Sequence, residues 1–79
     1  MTVTLKLYCP GIEINMTGVE RELQEGDTVK SVLLKYIDET GTTEEILHGT
    51  YMINRDAANL GTTLNDGDEL IAIKVINGG

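Results

Sequence analysis

Apolar and polar residues alternate from the start of the chain. Val3, Leu5 and Leu7 fall on one side and Thr2, Thr4, Lys6 and Tyr8 on the other, which predicts a strand with one buried face. Cys9-Pro10-Gly11 ends it, because proline lacks the ladder N–H and glycine opens a turn. Ile12, Ile14 and Met16 continue an alternation that Gly18 interrupts, so residues 12–18 read either as strand or as a loop packed by its own apolar side chains. A second strand is expected from Val19 to Leu23, closed by Glu25-Gly26.

The period then changes. Val29, Val32, Leu33, Tyr36 and Ile37 recur at i, i+3, i+4, i+7 and i+8, the apolar stripe of a helix over residues 28–39. Asp27 or Thr28 suits the N-cap, and Gly41 stands where a left-handed C-cap residue belongs. After the polar stretch Thr42-Thr43-Glu44-Glu45, residues 50–54 predict a short strand with Tyr51 and Ile53 on one face. Residues 55–63 read as an irregular loop anchored by Leu60. Leu64-Asn65-Asp66-Gly67-Asp68-Glu69 is a tight turn leading into a last strand, Leu70 to Ile76. Strand, strand, helix, strand, strand implies a helix layer packed on a sheet.

That last strand is apolar on both sides. Leu70, Ala72 and Ile76 form one set with Lys74, and Ile71, Ile73 and Val75 the other. A sheet covered on one face does not call for β-branched apolar residues on its other face. A surplus apolar face marks an interaction site, so the outer set is expected to meet a partner.

Composition narrows the function classes. With 79 residues, the chain is expected to form a single domain, residues 1–79, with one modest core. So small a body rarely encloses a substrate cavity of the usual ~300–1,000 Å³, which counts against a self-contained enzyme. Thirteen acidic residues against six Lys and Arg give a net charge of −7, the wrong sign for nucleic-acid binding. The aromatic complement of three Tyr, with no Trp or Phe, is a poor stacking platform. No apolar run approaches the ~20 residues of a membrane span, and Met1-Thr2-Val3-Thr4 does not open a signal peptide. A lone cysteine compels no oxidising compartment, so a cytoplasmic location is expected.

Candidate chemistry inside the chain is sparse. His48 is the sole histidine and lacks partners at ligand spacing. Asn65, Asp66 and Asp68 lack the twelve-residue frame of a calcium loop and read as a turn. Cys9 has no neighbouring basic cluster to activate it. Glu13, Glu20, Glu22 and Glu25 read as a solvated acidic face, with steering toward a basic enzyme surface as the alternative. No metal site is expected.

The end of the sequence is more informative. Two terminal glycines arise by chance in roughly 0.5% of chains at average composition, and the bland reading of Asn77-Gly78-Gly79 is a frayed, flexible tail. Two residues without Cβ also let a backbone thread a narrow channel and present its carboxylate to a distant active site. Attack of that carboxylate on the α-phosphate of ATP makes an acyl-adenylate, which a sulfur or amine nucleophile can then open.

The order of elements, Ile53-Asn54-Arg55, the segment Leu64-x-Asp66-Gly67-Asp68-Glu69-Leu70 and the terminal Gly78-Gly79 together resemble the MoaD/ThiS family of ubiquitin-like sulfur carriers. The resemblance implies a β-grasp fold of class α+β, a mixed sheet of about four to five strands packed on one main helix. It implies a carrier, not an enzyme, monomeric when free and holding no cofactor of its own. A ubiquitin-activating-like adenylating enzyme would use ATP on Gly79, and a sulfur donor would convert the adenylate to a thiocarboxylate. A downstream biosynthetic enzyme would accept the sulfur, with length favouring the molybdopterin type over the thiamin type. Gly79 is then the reactive residue, Gly78 and Asn77 its tail, and Met52, Ile71, Ile73 and Val75 the partner interface. The alternative is a ubiquitin-like modifier joined through Gly79 to lysines of other proteins.

Overall fold

The computed structural model describes residues 1–8 and 15–74, with residues 15–17 described by their backbone alone. Five strands form one mixed sheet: β1 (Thr2–Tyr8), β2 (Asn15–Glu22), β3 (Thr50–Ile53), β4 (Asp56–Ala58) and β5 (Glu69–Ile73), in spatial order β2-β1-β5-β3-β4. β1 and β5 run parallel at the centre; β2 and β3 flank them antiparallel, and β4 closes the far edge. One helix, α1 (Val29–Thr40), crosses one face of the sheet.

The alternation in β1 is realised as expected. Val3, Leu5 and Leu7 are buried and join Leu23, Val29, Val32, Leu33, Ile46, Tyr51, Leu64, Leu70 and Ala72 in one core. The helix stripe divides by depth: Val29, Val32 and Leu33 are buried, while Tyr36 and Ile37 pack half-buried at the margin. Among the described residues no polar or charged residue is buried.

The helix start shows why Thr28 rather than Asp27 is the N-cap. Thr28 Oγ1 accepts from the Ser31 N–H at 3.2 Å, and Ser31 Oγ accepts from the Thr28 N–H at 2.8 Å, a reciprocal capping box. The next free donors go to the following loop: Val29 N–H to the Thr62 carbonyl and Lys30 N–H to the Leu60 carbonyl. Asp27 instead collects the Gln24 N–H, the Ser31 hydroxyl and the Lys35 ammonium, each at 2.9 Å. At the other end Gly41 takes the left-handed conformation, φ 69°, and its N–H returns to the Ile37 carbonyl.

Four expectations change. β2 starts at Asn15 rather than Val19, extending into the undecided stretch, and its register with β1 shifts between Leu5 and Leu7. The polar stretch after the helix leads into a 3-10 turn, Glu44–His48, capped by Thr43 and pinned by buried Ile46. The loop expected over 55–63 contains β4, which pairs with β3 across Asn54-Arg55. Leu60 packs half-buried against the core from that loop, and Leu64, 3% exposed, lies deeper just beyond it. The last strand runs from Glu69 to Ile73 and stops before Lys74, and residues 75–76 of its expected continuation lie outside the described residues. No helix among the described residues is long and apolar enough to cross a membrane.

Two measurements check this packing. Leu33 is fully enclosed, so Leu33→Ala should cost about 2–5 kcal/mol in urea unfolding, and a smaller loss would show that the helix–sheet interface collapses around the gap. Asp27 carries the second. Its pKa is held below the ordinary value by the Gln24 backbone N–H, against the opposing effect of burial, with Lys35 and Ser31 adding to the lowering. A carboxylate with a depressed folded pKa stabilises above its unfolded value of about 3.9, and that contribution fades as pH falls through the folded value. The stability gap between wild type and Asp27→Asn should therefore be constant near neutrality and shrink below about pH 4. A gap that holds unchanged to pH 3 would refute the assignment.

Candidate functional site

With period two along β5, Leu70 and Ala72 enter the core at 0% and 3% exposure. Ile71 and Ile73 therefore face away from the helix, and both are half-buried. The ladder places Met52 opposite Ile71 and Thr50 opposite Ile73 on β3, and Lys6 opposite Ile71 and Tyr8 opposite Ile73 on β1. Directly opposed residues share a face. Met52, Ile71 and Ile73 are thus brought together on the outer face, as expected. Tyr8, 42% exposed, joins them, and a Lys6–Glu69 ion pair at 3.2 Å borders the group. The alternation in β1 marks Tyr8 as outward-facing, yet its adjacency to Ile73 depends on β1–β5 pairing, which no local pattern reveals. Val75, Asn77, Gly78 and Gly79 lie outside the described residues.

The turn before β5 fixes this arrangement. Asp66 Oδ1 accepts the Thr2 N–H at 2.8 Å, and the Gly67 N–H donates to the Thr2 carbonyl at 2.8 Å. Asp68 Oδ2 accepts the Asn65 N–H at 2.8 Å, closing the turn on itself. Asn54 reaches across from the β3–β4 turn: its Nδ2 donates to Asp68 Oδ1 at 2.7 Å and its Oδ1 accepts the Glu69 N–H at 2.9 Å. Gly67, at φ 84°, takes a conformation that strains any residue with a Cβ. Asn54 and Arg55 also have positive φ, 52° and 73°, a type I′-like pair that suits the twist of a two-residue hairpin. Asn54, Asp66, Gly67 and Asp68 thus hold the register of this corner. Among the described residues no group of three or more His, Cys, Asp or Glu is placed to hold a metal ion.

At the far end of β5 the chain leaves through a tight contact. A Cβ on Gly49 would lie 2.2 Å from the Ile73 carbonyl oxygen, so only glycine allows this approach. The buried Tyr51 hydroxyl donates to the Ile46 carbonyl at 2.7 Å and accepts the Gly49 N–H at 3.2 Å, holding the 3-10 turn against β3. Lys74 donates its backbone N–H to the Tyr8 carbonyl and its ammonium to the His48 carbonyl at 3.0 Å. His48 thus contributes through its backbone, and its imidazole has no part in this contact. The role of Gly49 was not legible locally, because its neighbour lies in a distant strand.

Comparison with known proteins places this geometry. No family model matches the chain, and no curated protein matches it. Among solved structures, SAMP1 from Haloferax volcanii superposes with a TM-score of 0.77 at 22% identity over the whole of both chains. A complex of subunits 1 and 2 of molybdopterin-converting factor from Helicobacter pylori gives 0.63 at 23% identity, again over both full chains. A ubiquitin from Caldiarchaeum subterraneum gives 0.58 at 18% identity over both full chains. The fold is therefore the ubiquitin-like β-grasp fold.

The turn clamp is open to measurement. Asn54→Ala removes two hydrogen bonds and forces a Cβ-bearing residue other than Asn into positive φ, so it should cost about 1–3 kcal/mol. Asn54→Gly removes the bonds without the strain and should cost less. Equal losses in chemical denaturation would mean that one of the two contributions is absent.

Proposed function

We propose that this chain is a sulfur carrier whose Gly79 carboxylate is activated by a partner enzyme. The observation that carries the reading is the apolar row Met52–Ile71–Ile73 on the sheet face opposite the helix. It lies on the strand that leads to Gly78-Gly79, so a partner docked on that face receives the tail in a defined direction. A row of apolar side chains is the kind of surface that seeds the desolvated centre of an interface, while the sequence offers no catalytic constellation of its own.

The chemistry follows from the carboxylate. At neutral pH it is a poor electrophile and a competent nucleophile. In the partner's site one Gly79 oxygen attacks the α-phosphate of ATP, pyrophosphate leaves, and the carbonyl becomes an acyl-adenylate. The terminal sulfur of a donor persulfide adds to that carbonyl and AMP departs, leaving an acyl disulfide; a second thiol then attacks the donor's sulfur, forms a disulfide with it and releases the Gly79 thiocarboxylate. Gly78 and Gly79 present no side chain to obstruct the channel, and Asn77 and Val75 lead into it. A downstream biosynthetic enzyme then takes the sulfur, in a molybdopterin-type pathway by preference and a thiamin-type pathway otherwise. The fold likeness to a molybdopterin-converting factor complex supports this reading. ATP belongs to the partner, and the carrier acts in the cytoplasm as a free monomer between encounters.

Likeness to SAMP1 and to a ubiquitin favours a second reading, conjugation, in which a lysine amine of another protein opens the same activated carbonyl and leaves an isopeptide bond. The two readings share the docking face and differ in the nucleophile.

Incubation with ATP, a ubiquitin-activating-like adenylating enzyme and a sulfur donor, followed by intact mass, separates them. The carrier reading expects oxygen-to-sulfur exchange located at Gly79 by thiol-specific alkylation and fragmentation, absent from a Gly79-deleted chain. The alkylation step distinguishes exchange from sulfoxide at Met1, Met16 or Met52. Lysine adducts without exchange favour the modifier, and an inert carboxylate with both nucleophiles present sinks both. Ile73→Asp should lower adenylation by at least about tenfold while the chain stays folded; unchanged kinetics would remove the docking assignment.

A further inference from the structure

β2 ends the sheet on the side away from β3 and β4, and its hydrogen-bonding phase can be read from its neighbours. The Leu23 N–H donates to the Met1 carbonyl at 2.7 Å. With Val3 opposite Arg21 and Leu5 opposite Val19, those pairs occupy the hydrogen-bonded positions of the ladder. On the other side of β1, the Thr4 N–H donates to the Asp68 carbonyl, which agrees with this phase. The backbone N–H and C=O groups of Glu20 and Glu22 therefore point outward from the sheet edge.

Beside this edge runs a groove of about 370 Å³ between β2 and α1, lined by Glu20, Arg21, Glu22, Gln24, Val32, Lys35 and Glu39. Its two cations are engaged. Arg21 pairs with Glu39 and lies over the Tyr36 ring at 5.6 Å, and Lys35 pairs with Asp27 at 2.9 Å. Glu20 and Glu22 are exposed, and neither is in an ion pair among the described residues.

We propose that this edge binds an extended peptide segment of basic–apolar–basic pattern, which adds antiparallel to β2 as a sixth strand. Lys or Arg residues sit directly opposite Glu20 and Glu22, and their backbones complete the outward ladder. The residue between them faces the groove, against Val32 and the aliphatic stems of Arg21 and Lys35. Strand addition takes affinity from the main chain and selectivity from alternate side chains. Charge decides the occupant. A second copy offers Glu20 and Glu22 on its own β2, or Asp56 on β4, and like charges directly opposed are unfavourable. A cationic strand meets neither obstacle.

The test titrates the full ¹⁵N-labelled chain with the capped peptide Ac-Thr-Gly-Lys-Val-Lys-Gly-Thr-NH2. The expected result is amide shifts centred on Glu20–Glu22 with slowed exchange at Glu20 and Glu22. Affinity should fall about tenfold or more for Glu20→Lys/Glu22→Lys, for a peptide with Glu in place of both Lys, and at raised salt. Glu20→Gln/Glu22→Gln, which keeps side-chain shape, should weaken binding in the same direction. A peptide N-methylated at both lysines keeps its charge but cannot donate to the ladder. Equal binding of that peptide overturns strand addition, as does a response centred on Met52, Ile71 and Ile73. Absence of any shift at millimolar peptide overturns the site itself.

Discussion

β5 is the one strand whose neighbours on both sides come from distant parts of the chain, so its register fixes every face of the sheet. Period two makes that register decisive: a slip of one residue would turn Ile71 and Ile73 into the core and expose Leu70 and Ala72. Hydrophobicity alone resists such a slip weakly, because both sets of β5 are apolar. The discrimination comes from polar contacts at the strand's start. Asp66 and Gly67 bind the Thr2 backbone, and Asn54 bridges Asp68 to Glu69, so β1, the β3–β4 turn and β5 are tied in one register. Asp66 and Asp68, which invite a ligand reading in the sequence, take part in this alignment.

At its other end the strand is constrained by space. Gly49 approaches the Ile73 carbonyl more closely than any Cβ allows, and the Tyr51 hydroxyl holds the 3-10 turn in position for that approach. Under the proposed carrier function, the terminal residues would need a fixed point from which to depart. Lys74, bonded to β1 through its backbone and to His48 through its ammonium, supplies one. The outer apolar row and the departure point belong to the same strand, so a partner that recognises the first also locates the second.

The features most legible in the sequence are those with a local cause. Val29, Val32 and Leu33 announce the helix by spacing, Asp27-Thr28 and Gly41 its ends, and the double apolar character of residues 70–73 announces a second apolar face on the last strand. What was missed depends on pairing. β4 is three residues long, and Asp56-Ala57-Ala58 carries no alternation; it is a strand because the Asn54-Arg55 turn returns it to β3. That turn has no glycine to signal it, since Arg55 takes a positive φ with the hairpin closed around it. The 3-10 turn hides behind Thr43-Glu44-Glu45, whose polarity masks the buried Ile46 that follows directly. For the candidate site, the shared face of Ile71 and Ile73 follows from strand phase and Met52 was offered by the family resemblance, whereas Tyr8 and Gly49 become neighbours of Ile73 only through strand order.

Strand order also sets how the two surfaces relate. Adjacent strands lie about 4.8 Å apart, so β2 sits about 10 Å from β5 across β1, and a strand added beyond β2 sits about 14 Å away. A peptide of three or four ordered residues at that edge leaves the Ile71–Ile73 face open, since its apolar residue turns toward the helix side of the sheet. Its basic residues, however, project on the outer side beside Glu20 and Glu22, and they would offset part of the −7 charge near any enzyme docked on the apolar row. Contact between the two occupants is then governed by charge more than by overlap. Strand addition at β2 would thus leave the proposed docking face open, and it would alter the potential that a partner on that face meets.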